Sequence, residues 1–210
     1  NMKKIKNIIR KRNGSIKYQL TDSVLTAATA AADAICAPPD ITKAKKVLFV
    51  QPHPDDNQIG AGGTIAYLRS LGVECYELTV TDDRFAEPDY IGKENEVHTI
   101  RQKEVLNAQQ KLGMKNAGFL GFADKTDATE REISLKIVEV IRRIKPDYVI
   151  TADPNLATEC HSDHIKVGNA VKYAAMDALC NFYPDFVDGK FREDTHRVKG
   201  VGFYYTDKPN

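Results

Sequence analysis

Val47-Leu48-Phe49-Val50, followed by Gln51-Pro52-His53-Pro54-Asp55-Asp56, is the stretch from which the fold can be read. Four apolar residues in a row make a short β-rich run, and the polar, proline-punctuated segment after it ends that run. Working outward, the spacing predicts a helix over 62–71 that stops at Gly72, then a strand over 73–81. A long helix over 93–112 ends at Gly113, and Phe119-Leu120-Gly121-Phe122 reads as a third strand. Ile133, Ile137, Val140, Ile141 and Ile144 recur at helical spacing over 129–144, and Pro146 closes that helix. A fourth strand over 147–151, a helix over 164–179 and a last strand over 201–205 complete the pattern. Strands separated by helices imply parallel crossovers, so the expected class is α/β, Rossmann-like, with a mostly parallel sheet and helices on both faces. Such sheets place ligands beyond the carboxyl ends of their strands.

The 210 residues suit one domain with a well-covered core, and 42% hydrophobic with 28% charged residues is ordinary for a globular enzyme. Lys plus Arg at 30 against Asp plus Glu at 29 gives no electrostatic case for nucleic acid or for a membrane surface. Cys36, Cys75, Cys160 and Cys180 form no CxxC pair, and they read as reduced thiols in a cytoplasmic protein rather than as a disulfide framework. Asn1-Met2-Lys3-Lys4 reads as a tag remnant before the native start. The alanine-rich stretch over 21–36 is expected to be a helix stopped by Pro38-Pro39, and Asp22 and Asp33 interrupt it, so it is neither a signal nor a membrane span. Residues 1–44 are thus expected as an N-terminal extension and 45–210 as the catalytic domain. The oligomeric state is left open.

Both histidine-rich runs fall at the carboxyl edge of the expected sheet. His53-Pro54-Asp55-Asp56 follows the first strand, and His161-Ser162-Asp163-His164 comes soon after the fourth. A hydrolytic zinc site needs three protein ligands and an open position for water, and His53, Asp56 and His164 supply that set. Zn2+ is the expected ion, although another divalent metal suits the same donors. Zinc lowers the pKa of its water towards about 7, and Asp55 is placed to complete the deprotonation. A protonated His161 can stabilise the carbonyl oxygen and then give a proton to the departing amine, with Asp163 orienting His161. His98 and His196 read as structural or surface residues.

The same residues carry a resemblance. Gln51-Pro52-His53-Pro54-Asp55-Asp56 with Gly60-Ala61-Gly62-Gly63-Thr64 resembles the signature of the PIG-L and LmbE-like deacetylases, and His161-Ser162-Asp163-His164 resembles their His-x-Asp-His element. Thr79-Val80-Thr81-Asp82, Arg101-Gln102-Lys103-Glu104 and Phe203-Tyr204-Tyr205-Thr206 resemble further family segments, so the likeness covers about 45–210. It implies zinc on His53, Asp56 and His164, a general base at Asp55, and oxyanion stabilisation and proton donation at His161. It also implies removal of acetyl from an N-acetylglucosamine-type sugar or small glycoconjugate, and native residues continuing beyond Asn210.

Several positions depart from that pattern or stay open. Asn57-Gln58 stand where many members carry an acidic residue, and Asp82-Asp83-Arg84 replaces a more usual glycine-containing loop. Arg84 is a candidate substrate contact or an exposed loop arginine. Arg101 is a candidate substrate contact or the partner of Glu104 one turn along its helix. Gly60, Gly62 and Gly63 read better as close helix-to-strand packing than as a phosphate loop. Tyr204 and Tyr205 are core residues or sugar contacts. Two other classes compete: a non-haem iron enzyme, since two histidines and a carboxylate also hold ferrous iron, and a Rossmann-like binding protein with a vestigial metal site. The alternating elements and the adjacent Asp55 favour hydrolysis over iron chemistry.

Overall fold

In a computed structural model of the chain, residues 40–86, 93, 96–181 and 194–207 are described, together with 26–28 and 30. The chain divides into two compact units, Asn1–Pro38 and Pro39–Asn210. In the first, residues 26–28 and 30 are helical; the rest of the helix expected over 21–36 lies outside the described residues, as does the Asn1-Met2-Lys3-Lys4 opening. The second unit reaches back past the Lys45 boundary, because Ala44 is buried with Val47 and Phe49 behind a short turn, Ile41–Lys43, capped by Asp40. Cys75, Cys160 and Cys180 are free thiols, and no helix among the described residues is long and apolar enough to cross a membrane.

Five strands form one parallel sheet in the order β3-β2-β1-β4-β5: β1 (Lys46–Gln51), β2 (Glu74–Thr81), β3 (Lys115–Phe122), β4 (Tyr148–Ala152) and β5 (Gly200–Tyr204). Among the described residues four helices cover it: α1 (Asp56–Ser70), α2 (Val97–Leu112), α3 (Glu130–Ile144) and α4 (Ser162–Asp177). The expected α/β architecture is the one observed. β1 shows why its sequence is an unbroken apolar run. Leu48 and Val50 pack among residues of α3 and α4 such as Ile137 and Val171, while Val47 and Phe49 pack against Ile65 and Leu68 of α1. A parallel strand covered on both faces has no side that favours a polar residue.

Helix ends follow local chemistry. Thr129 and Glu132 form a reciprocal capping box at the start of α3, and Lys145, in the left-handed region at φ 56°, ends it before Pro146. α1, by contrast, begins at Asp56 rather than at 62. Gly60 thus joins Gly62 and Gly63 inside the helix, each at a cost of about 1 kcal/mol relative to alanine in an exposed helix. One of them has a packing reason. A Cβ on Gly60 would run into the rings of Tyr204 and Tyr205, whereas Gly62 and Gly63 face open space. Close packing thus explains the first glycine and not the other two.

α4 is fixed at both ends. The buried guanidinium of Arg142 on α3 donates to the carbonyls of Ala178 (3.2 Å) and Cys180 (2.8 Å) beyond its C-terminus. Near its start, Gly168 sits so close to the end of β4 that an added Cβ would stand 2.7 Å from the Ala152 carbonyl oxygen and 2.7 Å from Pro154. In an ordinary helix interior Gly→Ala gains about 0.8–1 kcal/mol. Here the obstacle is backbone, so Gly168→Ala should destabilise by about 1–2 kcal/mol in denaturant unfolding. Equal or greater stability would show that the contact between α4 and β4 is loose.

Candidate active site

β1 and β4 are neighbours, yet the chain leaves them toward opposite edges of the sheet, β1 to β2 and β4 to β5. At such a point the loops part and open a crevice beyond the carboxyl ends of the strands. The His53-Pro54-Asp55-Asp56 turn leaves β1 into this crevice, and the His161–His164 segment enters it as the first turn of α4. The first turn is held from the side. Thr81, the last residue of β2, donates to the Pro52 carbonyl from its backbone nitrogen (2.9 Å) and its hydroxyl (2.8 Å). Asp56 then folds back to accept from the His53 backbone nitrogen at 2.9 Å.

Asp56 is also where the two motifs meet. Its Oδ2 lies 3.2 Å from His53 Nδ1 and its Oδ1 lies 3.3 Å from His164 Nε2. Two donors held at about 2.0–2.1 Å by a tetrahedral zinc stand roughly 3.3 Å apart, so these spacings suit a shared ion as well as direct hydrogen bonds. Ring nitrogens of His53, His161 and His164 all lie within 4.8 Å of one another, and so do ligand atoms of a second set, His53, Asp124 and Asp163. His53 belongs to both, because its Nε2 is 3.4 Å from Asp163 Oδ2 and from Asp124 Oδ1.

The electrostatics of this cluster call for a cation. Burial opposes a charge on His53, but hydrogen bonds to Asp163 and Asp56 and the charges of Asp56 and Asp124 outweigh it and push the ring up to about 10. Burial likewise opposes ionisation of Asp56, yet hydrogen bonds from His164 and His53 hold its carboxyl well below the usual range. Asp163 Oδ1 is buried without a hydrogen-bond partner, and Asp124 Oδ1, equally buried, is met at 3.4 Å by His53 Nε2 without a hydrogen bond. Three imidazoles among three buried carboxylates, two with an oxygen left over, form a donor set that fits a divalent metal.

The other expected site residues fall into place unevenly. His161 caps α4, its Nδ1 accepting from the backbone nitrogen of Asp163 at 3.3 Å. Burial and the neighbouring His53 and His164 push its pKa down, a direction that works against the protonated form expected from sequence. The Asp163 carboxylate does not orient His161. It turns to His53 Nε2 and to the backbone nitrogen of Lys125, the latter at 2.7 Å. Arg84 is half-exposed and forks onto Asp82 in its own loop. Arg101 reaches Glu104, as the helical spacing suggests, but also Asp83 and Asp55. Tyr204 is buried, and Tyr205 stacks on the His164 ring at 5.9 Å between centroids. His196 is structural, with Nε2 2.7 Å from the Pro146 carbonyl oxygen, whereas His98 lies beside Thr99 on α2.

Two participants were not singled out from sequence. Glu159 Oε2 lies 2.9 Å from His164 Nδ1 while its Oε1 accepts from the His161 backbone nitrogen at 2.7 Å, so one carboxylate holds both ends of the His161–His164 turn. Asp124 stands two residues beyond β3, at the same sheet edge as both histidine motifs, and that placement was its available signal. Together with His53, Asp55, His161, Phe85 and Lys125 it lines an open cleft of about 520 Å³.

Residues 48–175 match the family model PIG-L, described as GlcNAc-PI de-N-acetylase. The chain is 38% identical over 168 residues to diacetylchitobiose deacetylase of Thermococcus kodakarensis, covering 79% of this chain and 62% of that protein. It is 35% identical over 133 residues to a probable N-acetyl-alpha-D-glucosaminyl L-malate deacetylase 2 of Bacillus cereus, covering 60% of this chain and 59% of that one. The chain therefore spans about three fifths of the length of these curated relatives. The fold superposes on N,N'-diacetylchitobiose deacetylase from Pyrococcus horikoshii, solved with an inhibitor, with a TM-score of 0.77 and 29% identity, covering 92% of this chain and 73% of that chain. The matched segment runs through both histidine motifs and takes in more than half of the sequence, and by it the chain belongs to the PIG-L family.

Proposed function

We propose that this protein is a zinc-dependent de-N-acetylase that hydrolyses the acetamide of an N-acetylglucosamine-type sugar or small glycoconjugate. The observation that carries the reading is Asp56, which presents one carboxylate oxygen to His53 and the other to His164, with Asp55 beside it at the mouth of the cleft. The sugar class is drawn from relatives named for diacetylchitobiose and for an N-acetylglucosaminyl malate.

His53, Asp56 and His164 would hold the metal. When bound, a divalent cation supplies a Lewis acid that polarises the amide carbonyl and acidifies water towards a pKa of about 7. Asp55 takes the water's proton, since its carboxylate borders the cleft and is not needed as a ligand. His161 serves the carbonyl oxygen. Its Nδ1 already accepts from the Asp163 backbone nitrogen, so a neutral ring carries its hydrogen on Nε2 and donates from there as negative charge builds. The proton held by Asp55 is the one the departing amine needs. Its return gives acetate and a free amino sugar and restores the carboxylate. Glu159 fixes the His164 ring by accepting from Nδ1, which leaves Nε2 on the Asp56 side.

Acetate or free-amine release from a panel of N-acetylated sugars and sugar conjugates tests the reading; zinc-loaded protein inactive on all of them would overturn it. Asp55→Asn should keep its zinc while turnover falls by at least about 10²-fold. His53→Ala and His164→Ala should lose the metal, and equal zinc loss in all three variants would sink the division of roles. Glu159→Ala should weaken zinc binding by about 10–100-fold in a chelator competition. Unchanged affinity there would show that the His164 ring needs no such support.

A further inference from the structure

Phe85 is 54% exposed, yet it lines the same cleft as Asp55 and His161. Lys125 lines it too, with Nζ 5.5 Å from the centre of the Phe85 ring. A single exposed aromatic is ordinary on a protein surface. An exposed aromatic with a cation on its ring, at the mouth of a reaction cleft, is the kind of surface that fixes a ligand. Neither side chain packs in the core, and neither has a part in holding the metal or moving the proton.

We propose that Phe85 and Lys125 form a platform for the sugar unit joined to the one that carries the acetamide, and that this unit is an uncharged pyranose; the proposal rests on the reading of the site as a de-N-acetylase. A pyranose has an apolar face of C–H groups, and the negative face of an aromatic quadrupole attracts them as it attracts an ammonium. Lys125 covers part of the Phe85 ring, and more than half of the residue stays open. Among the described residues the ring is the contact that Lys125 Nζ makes, so its N–H donors are available to hydroxyl oxygens.

The platform is built before any ligand arrives. Phe85 and Lys125 belong to different loops, after β2 and after β3, and Asp82 ties the two together. Its Oδ1 accepts from the backbone nitrogen of Asp124 at 3.1 Å, and its own backbone nitrogen donates to the Phe122 carbonyl at 2.9 Å. Arg84, forked onto the same carboxylate, holds the loop that presents Phe85. One residue further on, the Ala86 backbone nitrogen closes a turn onto the Asp83 carbonyl at 3.0 Å. Lys125 is anchored from the other side. Its backbone nitrogen donates to Asp163 Oδ2 at 2.7 Å, and its φ of 52° is left-handed. Ring and ammonium are thus fixed relative to the first turn of α4, which lowers the ordering cost of binding. Charge selects the ligand. Lys125 is the only lysine or arginine among the described residues that line the cleft, whereas the carboxylates of Asp55, Asp83 and Asp124 line it as well, Asp83 already matched by Arg101. A glycoside carrying two carboxylates would meet one lysine and these acids, and like-charge approach counts against it. A hydroxylated ring meets no such repulsion.

The test measures acetate release by the full zinc-loaded chain from N-acetylglucosamine, from the disaccharide N,N'-diacetylchitobiose and from N-acetylglucosaminyl malate. The wild type should prefer the disaccharide to the monosaccharide in kcat/KM. Phe85→Ala should shrink that preference by about 10-fold, the scale of a lost pocket contact, chiefly through KM. Phe85→Leu, which keeps apolar bulk without the π face, should fall with the alanine variant; Phe85→Tyr should keep most of the preference and Lys125→Ala lose a smaller part. Zinc content matching the wild type checks that each variant is folded. A wild type without preference for the disaccharide, or a preference that survives in Phe85→Ala or in Phe85→Leu, would overturn the platform while leaving the deacetylase reading in place. A higher kcat/KM on the malate glycoside, lost in Lys125→Ala and kept in Phe85→Ala, would overturn it in favour of an anionic aglycone. If the wild type releases no acetate from any of the three, the deacetylase reading fails, and calorimetric titration of the disaccharide decides the platform by itself. It stands if Phe85→Ala binds about 10-fold more weakly than the wild type, and it falls if the two bind alike or neither binds.

Discussion

The Asp56 carboxylate stands between His53 and His164 at 3.2 and 3.3 Å, buried almost completely, and the rest of the site is arranged around what that burial demands. A carboxylate removed from water must be matched by positive charge or donors, or it will not stay ionised. Asp56 has three: the backbone nitrogen of His53 and one nitrogen from each ring. Because the rings come from different crossovers, satisfying this one group brings the loop after β1 to the start of α4. His53 is in turn faced by Asp124 and Asp163, so the excess of carboxylate extends one layer outward. A divalent cation among these groups would relieve both problems at once, the charge and the unpaired oxygens.

That arrangement sets tolerances for the scaffold. Contacts of 3.2 and 3.3 Å from one buried carboxylate to two rings cannot absorb a shift of an ångström in either element, so α1 and α4 must be seated firmly. For α4 the seat is Gly168 against Ala152 and Pro154, with Arg142 gripping the far end. For α1 it is Gly60 against Tyr204 and Tyr205, at the carboxyl end of β5. Tyr205 then also stacks on His164, so the same strand end touches both the helix of Asp56 and the ring Asp56 contacts. Residues that look like packing are therefore also what sets the distance between the two motifs.

This explains which parts were legible in the sequence. The strands and helices could be read because parallel strands buried on both faces are apolar throughout, and α3 is amphipathic with a capping box. His53, Asp56, His161 and His164 could be read because metal-type residues recur at short spacing. Arg101's contact with Asp55 spans 46 residues, and the turn of the Asp163 carboxylate toward His53 spans 110. Neither has a local signal, since both depend on where a loop and a helix pack. The early start of α1 was hidden by its glycines, whose propensity cost is overcome by packing at Gly60 and by the anchoring of the preceding turn through Thr81.

Asn57-Gln58, which the sequence alone marks as a departure from the pattern it resembles, are tied into the structure by the neighbouring strand. Both amide nitrogens donate to Glu77 Oε1 on β2, at 3.0 and 2.8 Å. Gln51 completes the link, accepting from the Asn57 backbone nitrogen and donating to Thr79. Glu77 is fully buried, and burial pushes its pKa up more than its amide partners, Asn57 first, draw it down. The acidic group is thus present beneath α1, but it is supplied by the neighbouring strand and kept toward its neutral form. Charge at the centre is then left to Asp56, Asp124 and Asp163, which face the histidines directly. An amide at 57 suits the site because its work is to hold the first turn of α1 to β2 by donating from Nδ2 to Glu77, and an ionised carboxylate has no hydrogen to give.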